Sequence, residues 1–252
     1  MFLALDDDLL FQYFAFQEGK RSDYQKETII KLFKYLQPFT ISIEQKDSLE
    51  LDDDLIKYIV DDGFITIASF TNEDDLIQST KLKVMLTKDG IDGTYPYPYI
   101  NILKDEIDVN FTATYKGKDE DNDGENRDKA IEHIKALLLD ANEISIYDRY
   151  LSKINYNNDS WTINKQTLLD ILPQKLMTIN IYCEYNWTSN REDDLTLVYT
   201  NWTINKQDFD RNMHDRYIET DKVIILLSSG IINLASTNKD FTYIIKIKKE
   251  DS

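Results

Sequence analysis

The feature that most constrains this 252-residue chain is an alternation, through its C-terminal half, of short apolar runs rich in β-branched and aromatic residues with longer amphipathic segments. EISIYDRYL (143–151), MTINIYCEY (177–185), the run through DRYIETDKVIILLSSGI (215–231) and FTYIIKIKK (241–249) read as strands. Between them, NRDKAIEHIKALLLDAN (126–142) places Ala130, Ile131, Ile134, Leu137 and Leu138 on one helical face, and KQTLLDIL (165–172) reads as a further helix. A segment that is apolar on one face must bury it against another element. Strands alternating with helices therefore predict an α/β fold, a mixed sheet covered by helices.

The N-terminal part has a different rhythm. Leu9, Leu10, Tyr13 and Phe14 lie at helical spacing behind Asp6–Asp8, which suit a helix N-terminus. SDYQKETIIKLFKYLQPF is an amphipathic helix stopped by Pro38, and LDDDLIKYIVDDG is a helix capped by Asp52–Asp54 and ended by Gly63. FITIASF reads as a strand, TNEDDLIQST as a polar connection, and KLKVMLTKDGID as a strand and turn. With Leu86, Thr87, Lys88, Gly90 and Ile91 closing it, this order resembles a winged helix, a small α+β domain. Residues 21–95 carry 9 Lys/Arg against 15 Asp/Glu, which favours a docking role over DNA binding for such a module. The charged, Gly-bearing stretch YKGKDEDNDGENRD (115–128) reads as a flexible boundary, and the domains are expected at 1–100 and 101–252.

Charge narrows the function classes. Lys and Arg number 29 and Asp and Glu 46, a net charge of −17. Nucleic-acid affinity comes largely from neutralised phosphates, so any such site must be a local basic patch on an acidic body, and a protein partner or a homodimer fits better. One cysteine, Cys183, leaves no internal disulfide and no cysteine-based zinc site. Asp119-x-Asp121-x-Asp123-Gly124 copies half a calcium loop, but Ala130 stands where the bidentate Glu belongs, so no metal or other cofactor is expected. Trp161, Trp187 and Trp202 are read as packing residues. No apolar run is long enough to span a membrane and MFLALDDDLL lacks a basic leader, so a cytoplasmic location is expected.

Three echoes occur: LDDDL at 5–9 and 51–55, WTINKQ at 161–166 and 202–207, and DRY at 148–150 and 215–217. The first two read as local structural reuse. The third matters more, because of the two histidines His133 belongs to a helix whereas His214 opens the spacing His214-x-Arg216-x4-Asp221, followed by Ser228, Ser229 and Asn233. That spacing resembles the phospholipase D superfamily signature, in its divergent H-D-R form, with Arg216 in place of a lysine. The resemblance covers roughly 105–252, and Ile144–Tyr150 matches the strand ending in Asp-x-Tyr that precedes the histidine motif in such domains.

The resemblance implies a histidine nucleophile at His214, phosphate oxygens held by Arg216, Ser228, Ser229 and Asn233, and an orienting role for Asp221. Arg149, at a strand end, reads as a second guanidinium for the phosphate site or as one half of a salt bridge, and Asp148 as orienting the imidazole or capping the next turn. Family enzymes pair two such histidines, and this chain supplies one, so a homodimer would complete the site. Three functions follow. The first is a phosphodiesterase, of the nuclease type, acting as an effector in bacterial phage defence. The second is a non-catalytic acidic interaction subunit with a degenerate phospholipase D-like domain. The third is a DNA mimic whose aspartates imitate phosphates.

Overall fold

Leu3–Leu5, Phe39–Ser42 and Met85–Thr87 are buried at every position, the mark of strands covered on both faces. The computed structural model describes residues 2–70, 72–88, 97–103, 111–120, 123–152, 160–184, 187–210 and 214–248, and divides the chain into two units, Met1–Val109 and Asn110–Ser252. Both are α/β.

The first unit runs β1 (Leu3–Leu5), α1 (Asp7–Gln17), α2 (Lys26–Tyr35), β2 (Phe39–Ser42), α3 (Ile43–Ser48), α4 (Asp53–Asp61), β3 (Ile65–Ala68), α5 (Glu73–Ser79), β4 (Met85–Thr87) and β5 (Tyr99–Asn101). Its five strands are all parallel, in the order β3-β2-β1-β4-β5. This corrects the winged-helix expectation. A wing is an antiparallel hairpin, whereas here the strand before TNEDDLIQST and the strand after it lie on opposite sides of β1 and β2, joined through α5 as a crossover. Met85–Thr87 pairs instead with β1, which the three-residue run LAL forms ahead of the aspartates. Gly90 and Ile91 lie outside the described residues. The helices fall where the spacing puts them: Asp6 caps α1 through Leu9 N (2.8 Å), and Asp52 caps α4 through Leu55 N (2.7 Å).

The second unit runs β6 (Phe111–Tyr115), α6 (Asp128–Leu138), β7 (Glu143–Tyr147), α7 (Ser160–Ile171), β8 (Met177–Tyr182), α8 (Ser189–Thr196), β9 (Trp202–Gln207), β10 (Arg216–Glu219), β11 (Val223–Leu227), a 3-10 turn (Ile231–Asn233) and β12 (Phe241–Ile247). Its seven-stranded sheet has the order β6-β12-β11-β10-β7-β8-β9, with β7, β8 and β9 parallel and the rest antiparallel. One face buries Ile144, Ile146, Ile181, Ile218, Ile225 and Ile245 completely. On the other, Tyr182, Tyr147 and Tyr217 stack across three neighbouring strands at 4.0 and 4.1 Å. Cys183, just past β8, is buried. His133 is also buried, its Nδ1 2.7 Å from the Tyr243 hydroxyl.

The segment 115–128 is not a linker. Glu125 N donates to Lys116 O, Lys118 N to Thr237 O and Gly117 N to Asp240 Oδ1, while the buried Arg127 donates through Nη2 to Lys116 O and Lys239 O. Backbone bonds hold a stretch whose composition alone reads as disordered. The unit boundary accordingly falls at 109/110, after β5 has joined the first sheet. Asp121 lies outside the described residues.

Candidate functional site at the strand ends

In the second unit β7 ends at Tyr147, and the next residue, Asp148, closes a tight turn in which its Oδ1 accepts from Tyr150 N (3.0 Å). Register then assembles the site. Tyr217 lies opposite Tyr147, which puts Arg216 beside Asp148, with Nε 3.8 Å from Oδ1. Arg216 lies opposite Leu227, so Ser228, Ser229 and Gly230 emerge at the same edge. Ile231 N donates to Asp148 Oδ2 at 2.8 Å. Gly230 permits this approach, because a Cβ there would sit 3.0 Å from Asp148 Oδ2.

Asp148 is only 2% exposed, and burial pushes its carboxyl above the ordinary range, against the pull of two amide donors and the Arg216 guanidinium. Two polar atoms at this edge are shielded from solvent and lack a hydrogen-bond partner among the described residues: Arg216 Nε and Ser229 Oγ. Buried polar groups are nearly always paired, and one left unpaired costs about 1–3 kcal/mol, so such atoms mark a place where something polar belongs. A second guanidinium, Arg149, bonds Glu184 through Nε at 2.5 Å. The Tyr150 ring has the Arg149 and Arg216 guanidinium carbons 5.6 and 5.7 Å from its centroid.

Of the residues that the motif spacing singles out, the structure thus gathers Asp148, Arg149, Arg216 and Ser229 at one edge. His214 belongs to that edge too, two residues ahead of β10, and is exposed. Asn233 sits in the 3-10 turn that Asp148 anchors. Ser228 extends the ladder: its N donates to Thr242 O and its Oγ accepts from Thr242 N (2.8 Å), so it is a strand residue in role. Asp221 occupies the β10–β11 turn at the opposite end of the strands, about 16 Å away at 3.3 Å per residue, and the carboxylate beside Arg216 is Asp148. Glu184 was not visible as a participant, since only the parallel β7–β8 register brings it next to Arg149.

The first unit holds a separate polar site. Its chain crosses from one side of β1 to the other between β3 and β4, so β1 marks the switch, and ligands of open α/β sheets bind outside the strand C-termini at such a place. Asp6 stands there, accepting from Leu9 N and Lys88 N, and desolvation first, then Asp8 and Asp7, raises its carboxyl from 3.8 to about 6. Asp8 pairs with Lys88 Nζ at 2.8 Å. Asp7 accepts from Gln45 Nε2, which also donates to Leu5 O. An open cleft of about 310 Å³ lies beside them, lined by Asp7, Ser42, Gln45, Asn72, Glu73 and Leu76 among others. The signal for this site was an apolar strand run immediately before acids, LAL then DDD, which also reads as helix caps.

No family model matches this chain, and no curated protein matches it. Among solved structures, the chain is similar to TrmBL2, an archaeal chromatin protein whose structure is described as showing a novel mode of DNA binding. Identity is 13% over 57% of this chain and 49% of that one, with a TM-score of 0.28. The chain thus spans about half of that protein, and a likeness of this size carries no argument about fold or function. Among the described residues, no helix is long and apolar enough to cross a membrane.

Proposed function

We propose that the second unit is a phospholipase D-like domain that holds a phosphate group at the C-terminal edge of β7–β9 without hydrolysing it, within an acidic interaction protein. The observation that carries this reading is the pair of shielded atoms, Arg216 Nε, 3.8 Å from Asp148, and Ser229 Oγ, two residues before the amide that bonds Asp148. A guanidinium and a hydroxyl both donate to phosphoryl oxygens, and a guanidinium's planar fork matches phosphate geometry. A nucleophilic imidazole needs a partner that orients it and an acid for the leaving group. His214 is exposed on the open edge, and the chain supplies one such motif.

Calorimetric titration of the full chain with inorganic phosphate and dimethyl phosphate tests this. Arg216→Ala is expected to weaken binding about 10–100-fold, the worth of a charge-assisted hydrogen bond. His214→Ala is expected to bind as the parent does. Hydrolysis of bis(p-nitrophenyl) phosphate by the parent, lost in His214→Ala, would replace binding with phosphodiesterase catalysis as the function.

A second reading rests on the first unit, where one carboxyl titrates near 6 at a sheet switch point next to a carboxylate–lysine pair. A carboxyl poised there suits acid–base or nucleophilic work on a small polar substrate. Asp6→Asn is the diagnostic change, because asparagine caps helices as well as aspartate does. The folded carboxyl titrates above its unfolded value, so its contribution to stability is full below pH 3.8 and is lost as pH rises through about 6. Asp6→Asn should therefore stabilise the protein at pH 8 by about 2 kcal/mol and by far less at pH 4. It should also abolish any p-nitrophenyl phosphate hydrolysis by the parent. Retained hydrolysis would exclude Asp6 from chemistry.

A further inference from the structure

We propose that the first unit pairs with a second copy of this chain, the outward face of α2 in one protomer lying on the outward face of α4 in the other. This surface shares no residue with either candidate site.

The two helices carry opposite charge on the same plan. α2 holds three lysines and one glutamate, whereas α4 holds three aspartates and one lysine. On α2, Ile29 and Leu32 are buried, which leaves Lys26, Ile30, Phe33 and Lys34 along the outward face. On α4, Ile56 and Ile59 are buried, which leaves Asp54, Tyr58 and Asp61 outward. Each row runs charge, apolar, charge over two helical turns. Lys26, Ile30 and Lys34 span about 12 Å, and Asp54, Tyr58 and Asp61 about 10.5 Å, at a rise of about 1.5 Å per residue. The minority charges have an opposite neighbour four residues away on their own helix: Glu27 has Lys31, and Lys57 has Asp53.

The centres of both rows are unusually open. Ile30 is 60% exposed and Tyr58 74%. Phe33, next to Ile30 on α2, and Phe16 are exposed too; their rings meet at 5.1 Å, and Tyr24 lies 5.3 Å from Phe16. Single exposed apolar residues are ordinary, but a connected aromatic patch marks an interaction surface, and aromatic anchors dominate interface energies. Lys26, Asp54 and Asp61 stand in no ion pair among the described residues, so their charges are available to another molecule. Two copies of net charge −17 repel overall, and a lysine row against an aspartate row is an approach that this charge permits.

Topology makes the pairing reciprocal. β1, β2 and β3 are successive parallel neighbours, so the right-handed crossovers between them, through α1–α2 and through α3–α4, fall on one face of the sheet. A two-fold axis running between α2 and α4 then sets α2 on the partner's α4 and α4 on the partner's α2 at once. The contact closes as a dimer and does not propagate as a filament. In it, Ile30 and Phe33 meet the partner's Tyr58, and the lysines at either end meet carboxylates.

Sedimentation velocity on the full chain over a range of concentrations is the test, with a monomer–dimer equilibrium expected. Lys26→Glu with Lys34→Glu, and separately Asp54→Lys with Asp61→Lys, should each weaken the dimer about tenfold or more. Tyr58→Ser should weaken it about tenfold. All five positions are exposed, so each variant should keep the parent's circular dichroism. Mixed in equal amounts, the two charge-reversed variants should regain the parental dimer, because each then meets the opposite sign in both contacts. A chain that stays monomeric, a dimer that neither reversal disturbs, or reversals that fail to rescue each other would overturn the proposal. A dimer lost only in the lysine variant would mean that α2 pairs with itself, which also overturns it. Cosedimentation of a monomeric chain with phosphatidylglycerol vesicles, lost only in the lysine variant, would make α2 a membrane-binding face instead.

Discussion

Asp148→Ala is expected to lower the stability of the second unit by about 2–5 kcal/mol, because two amides lose their buried acceptor at about 1–3 kcal/mol each. The substitution leaves three donors facing a void: Tyr150 N, Ile231 N and the Arg216 guanidinium. The first two are backbone groups that cannot turn to water. Arg216 keeps its charge and loses the carboxylate beside it. Asp148→Asn retains one carbonyl oxygen and should therefore lose less, because one of the two amides stays paired. Urea unfolding followed by circular dichroism measures both. Equal losses for the two variants would mean that the charge, and not the hydrogen bonding, sets the stability of this turn.

The second large effect is expected at Gly117. A Cβ there would lie 2.4 Å from Lys239 C and 2.6 Å from Asp240 N, both backbone atoms that cannot swing aside. Gly117→Ala must push the start of β12 away from the end of β6, breaking the Gly117 N to Asp240 Oδ1 bond on the way. A loss of about 2–3 kcal/mol is expected, as for other overpacked positions. Thermal unfolding checks it. Gly63→Ala is the instructive contrast: nothing lies within 4 Å of its added carbon, but φ is +77°, so its loss comes from backbone strain alone and should be near 1 kcal/mol.

How much of this was legible in the sequence divides along one physical line. Caps are local, and they read correctly: LDDDL appears twice, and both times its first aspartate closes the first turn of a helix. WTINKQ also appears twice, once inside α7 and once as β9, so the expectation that it marks reuse of a local structure does not hold. Trp161 donates to Asp194 Oδ2 and Trp202 to Pro173 O, and these different surroundings select helix in one place and strand in the other. Strand pairing is not local either. LAL is too short to declare itself, and its insertion between β2 and β4 turned a helix-rich segment into a parallel sheet. In the candidate site, Asp148, Arg216 and Ser229 were legible because they flank paired strands at motif spacing. Glu184 was not, because its neighbour is thirty-five residues away and meets it only through the β7–β8 register.

Cys183, the chain's one cysteine, is sealed behind the end of β8, and burial raises its thiol above the usual range. A sulfhydryl reagent can modify it only when that part of the sheet opens. The protein thus carries its own reporter: the labelling rate in native buffer reads how often the second unit breathes, with no dye or tag attached.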